Sequence, residues 1–524
     1  MATRKAAFRI EKDTLGEVRV PASALYGAQT RRAVENFPVS GLREHPAFIR
    51  AYVLIKKAAA VTNHQLGPLE KKLASAISSA ADEVLGEGAI SFETLLRSRG
   101  ESSPRRDDLR SAARLVPSRY VSETLRGQFV VDVFQAGAGT SFNMNCNEVL
   151  ANLANRALGG KVGEYRPVHP NDHVNMAQST NDTFPTAIRV AALLLLRELF
   201  PALDGMSSAL EERGRAFDDV IKSGRTHLQD AVPVTLGQEL RAWAAAVRRA
   251  TDELERAADH LRLLGIGGTA TGTGLNAPPG FRYAMVSHLG AMTALRLESQ
   301  PDLREAMQSQ FSVGAVSSAL RGLALELTRI TNDLRLLSSG PLTGLAEIRL
   351  PAVQPGSSIM PGKVNPSMLE CMNQVCFRVI GSATAIDYAL QAGQLELNVM
   401  MPLMAYEMLF SMEILANYVP VFVEKCVSGI DADRERCEAY YVSSPALATV
   451  LNPILGYARA AEIAKEAART RRPIPELLRE KKLLPESEIR RIFTPEFLTG
   501  QADRRPAKGR AKPRPAGKRG RGKR

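Results

Sequence analysis

Ser357, Ser358, Lys363 and Asn365 share one short stretch, Gly356 to Glu370, that reads GSSIMPGKVNPSMLE. Gly356 and Gly362 supply hinges, while Pro361 and Pro366 forbid a regular helix until Pro366 has passed. Pro366 suits the opening turn of a helix, where its missing N–H does no harm. Hydroxyls, an amide and one cation between glycine hinges are the makings of a mobile catalytic lid. Three other segments carry polar groups able to meet a ligand. Gln135 to Asn145, QAGAGTSFNMN, sets the hydroxyls of Thr140 and Ser141 beside two glycines that allow close backbone approach, and it reads equally as a helix-capping turn. Val168 to Asp182, VHPNDHVNMAQSTND, places His169 and His173 four apart, but Pro170 and the missing glutamate speak against a helical metal pair. Gly224 to Gln238, GRTHLQDAVPVTLGQ, holds Thr226 and His227, and a lone histidine is more often structural than catalytic. The glycine-rich Gly265 to Gly274 fails both nucleotide-loop spacings and reads as structural. No cofactor and no metal are expected.

These segments need a scaffold, and composition indicates which kind. At 524 residues, with 6% aromatics and abundant alanine and leucine, the chain favours helix over strand and is long enough for about three domains. Helical periodicity begins near Pro46 and returns over Asn143 to Leu158, Ala187 to Leu199, Leu236 to Leu264 and most of Leu303 to Ser339. After Pro366 it is clearest, with Met368, Met372, Val375, Val379, Ala383, Ile386 and Leu390 at three- and four-residue steps. A further helix follows Pro402, and no convincing run of alternating strands stands out. Helices this long imply a bundle whose apolar faces pack on partner helices, including those of other subunits. The fold class expected is all-α. Five cysteines without paired metal spacing, no signal-like leader and no bilayer-length apolar run predict a cytoplasmic protein with no membrane association.

GSSIMPGKVNP resembles the signature of the aspartase/fumarase superfamily, which eliminates a group from a succinate-like skeleton to give fumarate. The resemblance extends over about residues 8 to 500 and includes QAGAGTSFNMN, QSTND and THLQDAVP. It implies the three-domain helical fold of that family and a homotetramer whose sites each draw on three chains. It implies that Ser357 is the base, and that Thr140, Ser179, Thr180, Lys363 and Asn365 hold the carboxylates of a small dicarboxylate. Asn181 and His227 then lie near the departing group, and Glu370 pairs with the histidine. Ser141, Thr226 and Ser358 line the site, while His169, Asn171 and Asp172 belong to a neighbouring dicarboxylate segment. QAGAGTSFNMN, QSTND, NQVCFRVIG and AGQLELNVM look more like the aspartate ammonia-lyase branch than the class II fumarase branch, which is the alternative.

Two segments depart from the family pattern. About residues 90–127 hold eight arginines over Ala89 to Gln128 and read as a surface insertion. Eleven Lys and Arg without an acid fill Arg504 to Arg524, so most of the net charge of +13 belongs to this tail and the body is near neutral. Such a tail cannot bury a core, should be disordered, and attracts polyanions without reading sequence; a nucleic-acid-associated protein on a lyase scaffold is the remoter reading. The expected division is 1–175 (with the insertion), a central bundle over 176–430, a small helical domain over 431–500, and the tail over 501–524.

Overall fold

The computed structural model describes residues 7–86, 90–97, 109 and 119–500. Most of the insertion and the whole basic tail therefore lie outside the described residues. The chain falls into two compact units, each assembled from separate stretches. One joins Met1–Ala209, Trp243–Arg335 and Pro351–Gly429; the other joins Leu210–Ala242, Leu336–Leu350 and Ile430–Arg524. Helices dominate, and among the described residues none is long and apolar enough to cross a membrane.

In the first unit, Pro46–Gln65 begins where expected. His45 caps it, its Nδ1 accepting from the Ala47 N–H at 3.1 Å, and Pro46 occupies the first turn. Every residue from Ala47 to Asn63 is buried, so the apolar run AYVLIKKAAAV is a core helix rather than an amphipathic one. Phe48 and Tyr52 on it meet Phe184 at 4.7 Å and Phe142 at 5.2 Å between ring centroids. Burying each ring stabilises the fold by about 2–3 kcal/mol. The cluster ties Pro46–Gln65 to the starts of Thr140–Ala157 and Thr180–Ala216. The latter is much longer than the expected 187–199, with Pro185 and Pro201 inside it. Tertiary burial of its leucines outweighs the lost backbone bonds.

Ser367–Gln391 starts directly after Pro366 and presents Leu369, Met372, Cys376, Val379, Ala383, Ile386 and Ala389 to the core. The buried stripe is rotated slightly from the expected one, leaving Met368, Val375 and Leu390 half-buried.

Among the described residues four two-stranded pairings accompany the helices, where no convincing strand run was expected. Phe8–Asp13 pairs antiparallel with Gly16–Pro21, which buries only Val18 and Val20 against Ala24 and Ala28. So small a ribbon needs too few apolar residues to show an alternating pattern; its signal is the Asp13–Gly16 turn, with the Leu15 N–H on Asp13 Oδ1.

The second unit packs Leu447, Leu451, Ile463, Ile474, Leu477, Ile489 and Ile492 into its own core. Its helices include Arg434–Ser443, Tyr457–Thr470, Ile474–Glu480 and Glu486–Ile492. It also carries the antiparallel hairpin Ile221–Thr226/Gln229–Thr235 and the pairing of Ile348–Arg349 with Asp431–Ala432.

Candidate active site

Thr140 and Thr180 are each the first residue of a long helix, and both helix starts lie in the first unit. A helix start carries N–H groups without helical partners and partial positive charge, an environment that favours negative charge nearby. Gly139 precedes Thr140 in a left-handed conformation (φ 83°), and a Cβ there would sit 2.0 Å from the Phe184 ring. No other residue fits this turn. At the second start, Ser179 Oγ accepts from the Asn181 N–H at 3.2 Å and Asp182 Oδ1 accepts from the Ser179 N–H at 3.0 Å. This reciprocal cap fixes Ser179, Thr180 and Asn181 as a single rigid turn.

A buried polar network joins the two starts. The Lys56 ammonium, wholly buried, donates to Asn143 Oδ1 at 2.7 Å, Asn175 Oδ1 at 3.0 Å and Gln178 Oε1 at 3.1 Å. Its three protons meet three amide oxygens, while burial pushes its pKa down to about 8. Asp182, also wholly buried, reaches the other way: Oδ2 accepts from the Gly267 and Thr269 N–H groups, both at 3.0 Å. Burial pushes that carboxyl up to about 7 against the pull of these donors. Asn181 Nδ2 donates to Ala270 O at 2.8 Å, so the glycine-rich break wraps the second helix start.

Sequence reasoning missed Lys56, Asn143, Asn175, Gln178 and Asp182. A signal for Lys56 was present: a lysine inside an all-round apolar helix must be paired. Lys57 beside it obeys the same rule, meeting Asp82 and Ile90 O.

Residues 351–366 form a loop in the same unit. It is clasped at its neck, where the Gly356 N–H donates to Lys363 O at 2.8 Å and Asn365 Nδ2 donates to Gly356 O at 2.5 Å. A Cβ at Gly356 would lie 2.5 Å from both Lys363 O and Asn365 N, so only glycine closes this neck. Beyond it, Ser357 Oγ accepts from the Ile359 N–H at 3.2 Å and the Met360 N–H at 3.0 Å. Two backbone donors aimed at one hydroxyl oxygen stabilise negative charge on it. Ser358 and Lys363 are exposed, Ser357 and Asn365 half-buried, and Glu370 sits in the first turn of the helix that follows. Among the described residues no hydrogen bond joins this loop to the Thr140 or Ser179 segment.

Thr226 and His227 belong to the second unit. They form the tip of the Ile221–Thr226/Gln229–Thr235 hairpin, a two-residue turn with His227 at φ 57° and Leu228 at φ 58°. Neither is a glycine or asparagine, so the turn stores backbone strain while displaying both side chains outward. His169, Asn171 and Asp172 lie on the short turn around Pro170–Val174. There His169 Nδ1 accepts from the Asn171 and Asp172 N–H groups, both at 3.3 Å, and His173 Nδ1 accepts from the His169 N–H at 2.8 Å. Ser141 is buried one residue into its helix.

A family model described as Lyase matches residues 113–381, and one described as Fumarase C C-terminus matches residues 447–500. The chain is 42% identical over 499 residues to the aspartate ammonia-lyase of Bacillus subtilis (strain 168), covering 95% of this chain and 98% of that one. It is 45% identical over 496 residues to that of Pseudomonas aeruginosa, covering 94% and 97%. Among solved structures it resembles a fumarate lyase:delta crystallin from Brucella melitensis bound to cobalt (TM-score 0.82, 44% identity, 92% and 97% covered). It also resembles a recombinant class II fumarase from Schistosoma mansoni (TM-score 0.82, 33% identity, 94% and 99% covered). With a family model matched over residues 113–381 and likeness to these relatives along nearly its whole length, the chain belongs to the aspartase/fumarase family of lyases.

Proposed function

We propose that this protein is an aspartate ammonia-lyase, converting L-aspartate to fumarate and ammonia. The observation that carries the reading is Ser357 Oγ beneath two backbone N–H donors, an environment suited to a serine alkoxide acting as base. That alkoxide takes the C3 proton beside a carboxylate; the C–H electron pair becomes the C2–C3 double bond, and the C2–N bond breaks to release ammonia. Thr140, Ser179, Thr180, Lys363 and Asn365 hold the two carboxylates, with Ser141, Thr226 and Ser358 lining the site. Asn181 and His227 flank the amine, and Glu370 supports the histidine. His169, Asn171 and Asp172 form a secondary dicarboxylate segment. The higher identity to proteins named aspartate ammonia-lyase (42–45%) than to the class II fumarase (33%) favours an amine over a hydroxyl as the leaving group.

A homotetramer, with sites completed by neighbouring copies, suits the exposed aromatics on the long helices: Phe311 (62% exposed), Phe377 (56%) and Tyr388 (67%). The division at 1–175, 176–430 and 431–500 belongs to the same reading. The test is fumarate absorbance from L-aspartate and, separately, from L-malate. Release from aspartate is expected; turnover of malate alone would replace the reading with class II fumarase.

A further inference from the structure

Among the described residues of the second unit, Glu347 is the one glutamate with no solvent exposure at all, and the reaction as drawn gives it no part. One of its carboxylate oxygens lies 3.1 Å from Lys222 Nζ and the other 2.9 Å from an Arg225 guanidinium nitrogen. Both cations sit on the strand Ile221–Thr226 that leads into His227. These contacts are ion pairs rather than aligned hydrogen bonds. Lys222 is itself buried and is shared with Glu239 at 3.0 Å, while Arg225 also lies over the Tyr440 ring at 5.5 Å. The backbone of Glu347 is pinned as firmly. Its N–H donates to Leu337 O at 2.9 Å, and its carbonyl accepts from the Asp433 N–H at 2.9 Å and the Cys437 thiol at 3.6 Å.

We propose that Glu347 is a positioning residue for the reaction: it anchors the strand that presents Thr226 and His227, so that the strained turn is held in one pose toward the substrate. The inference rests on the aspartate ammonia-lyase reading, in which His227 lies against the substrate. Three considerations carry it. A buried ion pair adds little stability over an apolar replacement of the same size, so stability alone does not account for this knot. What such a pair does provide is fixed geometry, because two cations on one strand converge on one immobile carboxylate. And the turn needs outside support, because His227 and Leu228 both occupy left-handed backbone that neither residue favours.

The experiment is a double-mutant cycle on the full-length protein, with kcat and KM measured for Glu347→Gln, His227→Gln and the double variant. If Glu347 acts through the hairpin tip, Glu347→Gln lowers kcat/KM on the order of tenfold in the wild-type background and less than about twofold in the His227→Gln background. An equal loss in both backgrounds overturns the proposal. So does a loss confined to kcat at unchanged KM in both, the signature of less folded enzyme. Should Glu347→Gln fail to fold, Arg225→Gln, which releases one of the two ties from a less buried position, takes its place with the same two outcomes. If the wild type yields fumarate from L-malate and not from L-aspartate, the substrate reading falls, and the cycle run on L-malate still decides the role of Glu347.

Discussion

The two helix starts and the serine loop occupy the same unit, yet they are built on opposite terms. Thr140 and Ser179–Asn181 stand on a buried cage in which Lys56 meets three amide oxygens and Asp182 gathers three backbone donors. Ser357 stands on a loop whose neck is closed by two hydrogen bonds and whose tip, Ile359, is 83% exposed. The first arrangement resists displacement, because moving either start would strand a buried ammonium or carboxylate. The second moves at little cost. Under the proposed function the contrast has a use: binding groups held rigid and a base carried on a hinged loop are what a reaction needs when it must admit a dianion and then enclose it.

Three substitutions bear on that contrast, and a fourth tests a separate anchor. If Ser357 is the base, Ser357→Ala removes it and leaves the cage intact, so fumarate release should fall about 10²- to 10⁴-fold with KM little changed. A loss in KM alone would mean the loop binds rather than reacts. Lys56→Met takes one donor from each of three amide oxygens; Asn143 Oδ1 keeps the Tyr52 hydroxyl and Asn175 Oδ1 keeps the Asn143 and Asn147 amides, but Gln178 Oε1 is left with none, and urea denaturation should show a loss of about 1–3 kcal/mol. A stable variant would show that the cage is not what holds the helix starts. Gly356→Ala forces a Cβ into the loop neck; kcat should drop about tenfold while the melting temperature changes little, separating loop closure from core stability.

The smallest effect concerns the foot of the arginine-rich segment, where Arg119 pairs with Glu198 at 2.5 Å and Glu413 at 3.1 Å, and His45 Nε2 lies 3.3 Å from Glu413. His45, and after it Arg119, hold the Glu413 carboxyl down from its ordinary value of 4.5 to about 2, against its burial. A depressed carboxylate stabilises the fold fully above the unfolded value and loses that contribution as pH falls through the folded one. Glu413→Gln should therefore be less stable than wild type by about 1 kcal/mol at neutral pH, allowing for the group's partial exposure. The gap should close between pH 4.5 and about 2 in acid-unfolding curves. A gap that persists at the acid end would show that packing, not charge, anchors Arg119.

The loop around Ser357 was legible in sequence because its cause is local: glycines and prolines decide backbone conformation within a few residues. The starts at Pro46, Thr140 and Ser367 fell close to expectation for the same reason. The 37-residue helix Thr180–Ala216 did not, since its ends are decided by what buries its leucines. Neither did Lys56 or Glu347, which look in sequence like ordinary charged residues. Lys56 has partners 87, 119 and 122 residues away. Glu347 pairs with cations more than a hundred residues earlier in the chain.

What the sequence determined by itself was the set of candidate groups and part of the local backbone that displays them: the hinged serine loop, the hydroxyls ahead of two helices, and a lone histidine whose flanking strands it did not disclose. Only tertiary structure decided which charges are buried, which cations they meet, and which compact unit each segment joins. Residue types and short-range sterics are written along the chain. Pairing across a hundred residues exists only once burial has made an unpaired charge too costly to leave.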